Sequence, residues 1–304
     1  MTGPRILDRK THQEMTEQVY GKFFIDLLYG TGWISRIVSF FLVPLFSCVP
    51  FFSHLYGSLQ KNKCSRRKIR PFIEKFRVDT SEFLEPVDSF QSFNDFFIRK
   101  LKPNCRPISP GADVAILPAD ARYLVYENIA TSDGFFVKGK KFSLETLLQD
   151  QSLAHKYAQG SMVIARLAPV DYHRFHFPID CVPEKPEQIP GKLFSVNPVA
   201  LKKHANILAE NKRVITPLQT KNFGTVLFID VGATYVGTIH QTFTPLKPYA
   251  KGDEKGYFSF GGSSLILLFE PGKIQLDPDL IKASQKRIEV LGQMGQSMGR
   301  AIKL

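Results

Sequence analysis

The apolar positions fall into two regimes that change over near residue 70. The run IVSFFLVPLFSCVPFFSHLYGSL, residues 37–59, contains no Asp, Glu, Lys or Arg. It is long enough to cross a bilayer, which takes about 20 residues. Pro44 and Pro50 argue against one straight spanning helix, because each removes a backbone donor and kinks the helix. A short helix is predicted over 19–28, after a polar beginning. From 71 to 107 the pattern is helical with turns. There Ser92 stands where it can cap a helix that runs through Asn94 and Asp95 to Leu101, with Asp95 in capping-box position. Phe93, Phe96 and Phe97 form its apolar face and read as core. Beyond Pro107 the chain breaks into short β-like segments separated by Gly, Pro and Asp: 115–117, 123–126, 162–167, 193–196, 225–229 and 235–243. The stretch 280–291 reads as a helix. The expected fold class is α+β. N-terminal membrane-associated helices (1–70) precede a β-rich, sandwich- or barrel-like catalytic domain (71–304).

Charge sharpens the first regime. Arg36 precedes the apolar run, and Lys61, Lys63, Arg66, Arg67, Lys68 and Arg70 follow it. Aromatic-rich apolar surface beside such a cluster predicts helices lying in the interface of an anionic membrane. A buried helix pair and a true span are the alternatives. The whole chain carries 40 Lys and Arg against 28 Asp and Glu, a net +12, which calls for an anionic partner. Nucleic acid would satisfy charge alone, but no helix-turn-helix, zinc or RNA-recognition signature is present. With 43% apolar and 22% charged residues the chain is globular. Cys48, Cys64, Cys105 and Cys181 lie far apart without metal or redox spacing, so a reducing compartment fits best. The first 30 residues are mixed polar and show no secretory signal. The expected location is peripheral, on the cytoplasmic face of the cell membrane.

Chemistry enters with GYFSFGGSSLILLFEPGKI, residues 256–274. Two strands are predicted here, the second buried on both faces, with Gly261-Gly262-Ser263-Ser264 between them. Such a link is commonly a hairpin turn. It also has a chemical reading. A Ser hydroxyl after a glycine can attack the preceding carbonyl and convert the amide to an ester. β-Elimination then cuts the chain and leaves dehydroalanine, which hydrolyses to a pyruvoyl group. The motif alone is weak, and its partners decide. LPADA puts Asp120 after an apolar strand and a proline turn. RLAPVDYHRFHFPIDC supplies His173 and His176, which one helical turn would bring to one face. A metal site on that spacing lacks a third ligand. A Ser nucleophile, a His base and an Asp that orients the His form the usual device for activating a hydroxyl.

These segments resemble the phosphatidylserine decarboxylase family. The likeness runs over most of the chain: FNDFFIRKLKPNCRPI (93–108), LPAD (117–120), PVDYHRFHFP (169–178), GKLFSVNP (191–198), NKRVITPL (211–218), VGATYVGTI (231–239) and KGDEKGYFSFGGSSLILLFEPGKI (251–274). IRPFIEKFRVD (69–79) and FFVKGKKFSLETLL (135–148) look like its bacterial branch. The resemblance implies self-cleavage between Gly262 and Ser263 into a β chain, 1–262, and an α chain, 263–304, which remain together as a heterodimer. Ser263 would become a covalent pyruvoyl group, the only cofactor, and would decarboxylate phosphatidylserine through a Schiff base. Asp120 and His176 would act with Ser263 in self-cleavage. His173 would contact substrate or handle protons during decarboxylation. No metal is implied. One departure is visible: the family usually has Gly after this Asp, where this chain has Ala121, and a positive φ there would cost about 1 kcal/mol or more. Two rival readings are a pyruvoyl decarboxylase of a soluble amine and a catalytically silent membrane-binding protein.

Overall fold

The computed structural model describes residues 4–17, 57–131, 143–196, 206–233, 239–260 and 263–302. At its centre lies the strand Ser263–Phe269, whose seven residues are all buried. It pairs antiparallel with Ser161–Leu167 on one side and Thr225–Val231 on the other. Side chains alternate across a strand. Leu265, Leu267 and Phe269 therefore join Val163, Ala165 and Phe228 in one core, while Ile266 and Leu268 join Met162, Ile164 and Ile229 in a second. Two cores on one sheet explain why these segments read as unbroken apolar runs. Burying each such side chain stabilises the fold by about 1.5–3 kcal/mol.

The large sheet has ten strands. Its order begins Glu14–Thr16, Arg5–Asp8, Glu289–Gly292, Ala121–Tyr126 and Ser161–Leu167. After Ser263–Phe269 come Thr225–Val231, Arg213–Gln219 and Val182–Pro183, with Glu187–Ile189 also on Arg213–Gln219. Every pairing is antiparallel except that of Arg5–Asp8 with Glu289–Gly292. Two three-stranded sheets complete the β structure described. One joins Ile239–Gln241, Glu254–Phe258 and Arg174–His176; the other joins Ile274–Leu276, Ser297–Ala301 and Val114–Ile116.

Four expectations change. First, the β-rich domain is present, but Arg5–Asp8 and Glu14–Thr16 are the two outermost strands at one end of the large sheet, not membrane-associated helices. Arg9 fastens them, with its guanidinium on Asp277, Asp279 and the Ser297 carbonyl. Strands this short leave no measurable period, and the partner Glu289–Gly292 is remote in sequence. The predicted helix over 19–28 and residues 37–56 of the apolar run 37–59 lie outside the described residues, while 57–61 are helical. Among those described, no helix is long and apolar enough to cross a membrane. Second, 280–291 is not one helix: Pro278–Gln285 is helical, Arg287 takes φ 57°, and the chain returns as the strand Glu289–Gly292. Third, 193–196 is not a strand; Asn211 holds Phe194 there through both its N–H and its carbonyl. Fourth, the strands on either side of the GGSS stretch belong to different sheets, so they do not form a hairpin.

The 71–107 region is helical with turns, as its pattern predicts. In the helix Phe93–Phe97, Ser92 Oγ accepts the Asp95 N–H at 3.1 Å, and Asp95 reaches back to the Gln91 N–H. Phe72, Phe83, Phe90, Phe93, Phe96 and Phe97 form a third core, and Phe260, just past the strand Glu254–Phe258, joins it. This ring cluster seats the helical layer beside the GGSS stretch.

Candidate active site

Ser263 opens the central strand and is fully buried. Strand alternation sends it and Ser264 to opposite faces. The Ser264 hydroxyl is buried with no hydrogen-bond partner among the described residues, whereas Ser263 Oγ lies 3.5 Å from His173 Nδ1. That separation is long for a hydrogen bond, yet catalytic pairs often tighten only when the reacting geometry forms. Gly262 lies outside the described residues.

His173 is held from three sides. Its Nε2–H donates to the Ala168 carbonyl at 2.9 Å, which leaves Nδ1 as the free acceptor facing Ser263. The Phe97 ring stacks on the imidazole with 3.8 Å between centroids. Asp171 accepts the Ala168 N–H and an ion pair from Arg122, which fixes the turn that offers the Ala168 carbonyl. Burial pushes the His173 pKa down to about 3, with the Arg99 and Arg122 charges adding and the Ala168 bond opposing. The imidazole is therefore neutral and able to accept a proton. An NMR titration should show no His173 transition between about pH 5 and 8, where an ordinary imidazole changes charge. A midpoint inside that range would mean that water reaches the ring.

His176 faces elsewhere, which corrects the helical-turn expectation. Arg174–His176 is a strand, and in extended backbone residues three apart point to opposite faces. Its Nδ1–H donates to the Gly252 carbonyl at 2.9 Å, and Nε2 accepts from the Tyr172 hydroxyl at 3.2 Å. Burial lowers its pKa, opposed by the Gly252 bond and by the charges of Glu254 and Asp120. Asp120 thus acts on this imidazole through its field. The His176 N–H also bonds the Pro118 carbonyl at 2.8 Å, tying the two segments together. The Asp120 carboxylate itself is taken by Arg106, at 2.6 Å from Nη2, and by the Met294 N–H at 2.9 Å. Arg106 carries Glu82 as well. Ser263 and His173 are brought together; no hydrogen bond links Asp120 or His176 to Ser263 among the described residues.

The departure at Ala121 is harmless. It begins an extended strand and is not among the residues with positive φ, so a Cβ is at no disadvantage there. The close approach falls instead on its cross-strand partner Gly292, where a Cβ would meet Leu117 Cδ1 at 2.4 Å.

The family model for phosphatidylserine decarboxylase matches residues 93–300. The chain belongs to this family. It is 49% identical to the phosphatidylserine decarboxylase proenzyme of Chlamydia pneumoniae over 301 residues, covering 99% of this chain and 98% of that one. Against the Chlamydia caviae protein of the same name, identity is 50% over 297 residues, 98% of each chain. Against that of Chlamydia muridarum it is 49% over 279 residues, 92% of this chain and 90% of the relative.

Sequence reading missed several residues that shape the site of this decarboxylase family member. Phe97 and Arg99 stand in FNDFFIRK, where Phe97 reads as core and nothing local links either residue to His173. Asp171 and Tyr172 lie inside the histidine segment, so proximity was a usable signal. Glu17, which pairs with both Arg122 and Arg166 beneath the sheet, carries no sequence signal at all.

Proposed function

We propose that the protein matures by cutting itself between Gly262 and Ser263 and then decarboxylates phosphatidylserine to phosphatidylethanolamine and CO2. The observation that carries this is the buried Ser263 hydroxyl facing a neutral imidazole, directly after a glycine in the sequence. In self-cleavage Ser263 Oγ attacks the Gly262 carbonyl, its proton passes to a base, and the peptide amide becomes an ester. Loss of the Ser263 α-proton then expels the Gly262 carboxylate and leaves dehydroalanine, which takes up water and releases ammonia. The products are the β chain, 1–262, and the α chain, 263–304, held together by the pairing of Ser263–Phe269 with both neighbouring strands. When formed, the pyruvoyl carbonyl supplies the electron sink that decarboxylation of an amino acid needs.

The Ser263 position suits that group. It is fully buried, and His173 Nδ1 lies 3.5 Å from its hydroxyl. His173 therefore handles protons where the new carbonyl arises. Asp120 and His176 are assigned to self-cleavage by the resemblance, supported by the field of Asp120 on the His176 ring. His176 Nε2 is an acceptor already, because Nδ1–H is committed to Gly252. Tyr172 must release it before it can serve Ser263. Intact-mass measurement of purified protein tests the central claim. Two chains, the smaller lacking the mass of an N-terminal amine and bearing a keto group, are expected; a single unmodified chain would refute it.

A lipid substrate must be met at a surface, and a basic face supports this reading. Lys63, Arg66, Arg67 and Arg70 line a shallow cavity of about 380 Å³ with Asp88 as the acid among them. Peripheral binding at the cytoplasmic face of the cell membrane is part of this proposal. Replacing Arg66, Arg67, Lys68 and Arg70 by Gln should weaken binding to vesicles rich in anionic lipid, each charge contributing about 1 kcal/mol near such a surface. The loss should shrink as salt shortens the Debye length to about 8 Å or less. Self-cleavage should be unaffected. Equal vesicle binding by both proteins at low salt would remove these residues from the interface.

A further inference from the structure

The short helix Phe93–Phe97 touches the reactive stretch from both sides. Asn94 is a buried polar residue beside a core rich in phenylalanine rings. Its side-chain Oδ1 accepts the backbone N–H of Phe260 at 2.9 Å. This amide lies just past the end of the strand Glu254–Phe258. A buried backbone donor needs a partner, and the chain supplies it from a distant side chain. The Phe260 ring packs on Phe93 and Phe97, with centroids 5.1 Å and 5.0 Å away. Phe97 in turn stacks on His173, which faces Ser263. Just past the helix, Arg99 Nη2 donates to the carbonyls of Val170 and Asp171 at 3.1 Å and 3.2 Å, within the turn that leads to His173. One element thus holds the chain ahead of Gly262, the imidazole beside Ser263 and the turn that carries that imidazole.

We infer that Asn94 is a positioning residue for self-cleavage: it anchors the backbone two residues before Gly262 so that the Ser263 hydroxyl and the preceding carbonyl meet. This rests on the self-cleavage reading above. An amide buried among rings packs no better than an apolar side chain, and what this one adds is the hydrogen bond to the Phe260 N–H. Attack on a carbonyl depends steeply on approach distance and angle. Freeing an anchor so close to the reacting bond should slow cleavage by about tenfold to a hundredfold.

The test follows cleavage of newly made full-length protein by intact mass over time. Asn94→Ala should cleave about tenfold to a hundredfold more slowly than the unchanged chain. Asn94→Asp keeps an acceptor oxygen for Phe260 and should recover most of the rate. Unfolding midpoints are compared in the uncleavable Ser263→Ala background, where adding Asn94→Ala should leave the midpoint nearly unchanged. A wild-type cleavage rate in Asn94→Ala would overturn the inference, as would an Asp variant as slow as the Ala variant. A collapse of the midpoint would also overturn it, because Asn94 would then be a folding residue. If the unchanged chain fails to cleave, the self-cleavage reading falls first and this inference falls with it.

Discussion

Ser263→Ala is expected to yield a folded, single-chain protein with no decarboxylase activity. The hydroxyl is both the nucleophile that attacks Gly262 and the atom whose loss creates the new carbonyl, so no other group can replace it. Ser264 is the adjacent hydroxyl, but it faces the second core, away from His173. The change removes one oxygen from a fully buried position and leaves His173 Nδ1 without its long contact. Leaving a buried acceptor unpaired costs about 1–3 kcal/mol. A domain stable by about 5–15 kcal/mol survives that. Mass spectrometry and circular dichroism check both halves. A fragment beginning at residue 263 together with normal turnover would refute the assignment, and loss of folded signal would show that the hydroxyl is structural.

Separating the two histidines is the second large effect. His176→Ala and Asp120→Asn should slow self-cleavage by about 10²–10⁴-fold, the contribution of a positioned base. His173→Ala should still yield two chains, but its decarboxylation should fall by a similar factor. Both imidazoles are neutral acceptors, each with its tautomer set by a backbone carbonyl, Ala168 for His173 and Gly252 for His176. They differ in what faces the free nitrogen: Ser263 for one, Tyr172 for the other. Tyr172→Phe is an internal control, since releasing Nε2 of His176 should speed cleavage if that ring is the base. The reversed pattern, with cleavage lost in His173→Ala and kept in His176→Ala, would transfer the base role to the imidazole already beside Ser263.

Much of the site was legible because its parts are contiguous. LPAD, PVDYHRFHFP and GGSS each announce a residue type with a plausible role, and their joint order identifies the family. The capped helix at Ser92 and the doubly buried strand at 263–269 were legible for a local reason as well: capping chemistry and an unbroken apolar run are short-range signals. The facing of His173 and His176 was not. Spacing of three fits a helix and a strand equally well, and only the pairing of Arg174–His176 with Glu254–Phe258 selects the strand.

What the sequence determined by itself is therefore the inventory: the reactive Gly–Ser pair, the acid and imidazoles that accompany it, and a β-rich domain able to bury them. Tertiary structure decided which members of that inventory meet. It put Ser263 rather than Ser264 toward His173, joined residues 5–8 to 289–292, and gave Ala121 an extended backbone that needs no glycine. It also set Phe97 on His173 and Asn94 on the Phe260 amide. Each of these depends on strand register and on contacts between segments far apart in the chain. A shift of one residue in register turns every side chain to the other face. No local pattern carries that choice; the packing of the two cores against the shared sheet makes it.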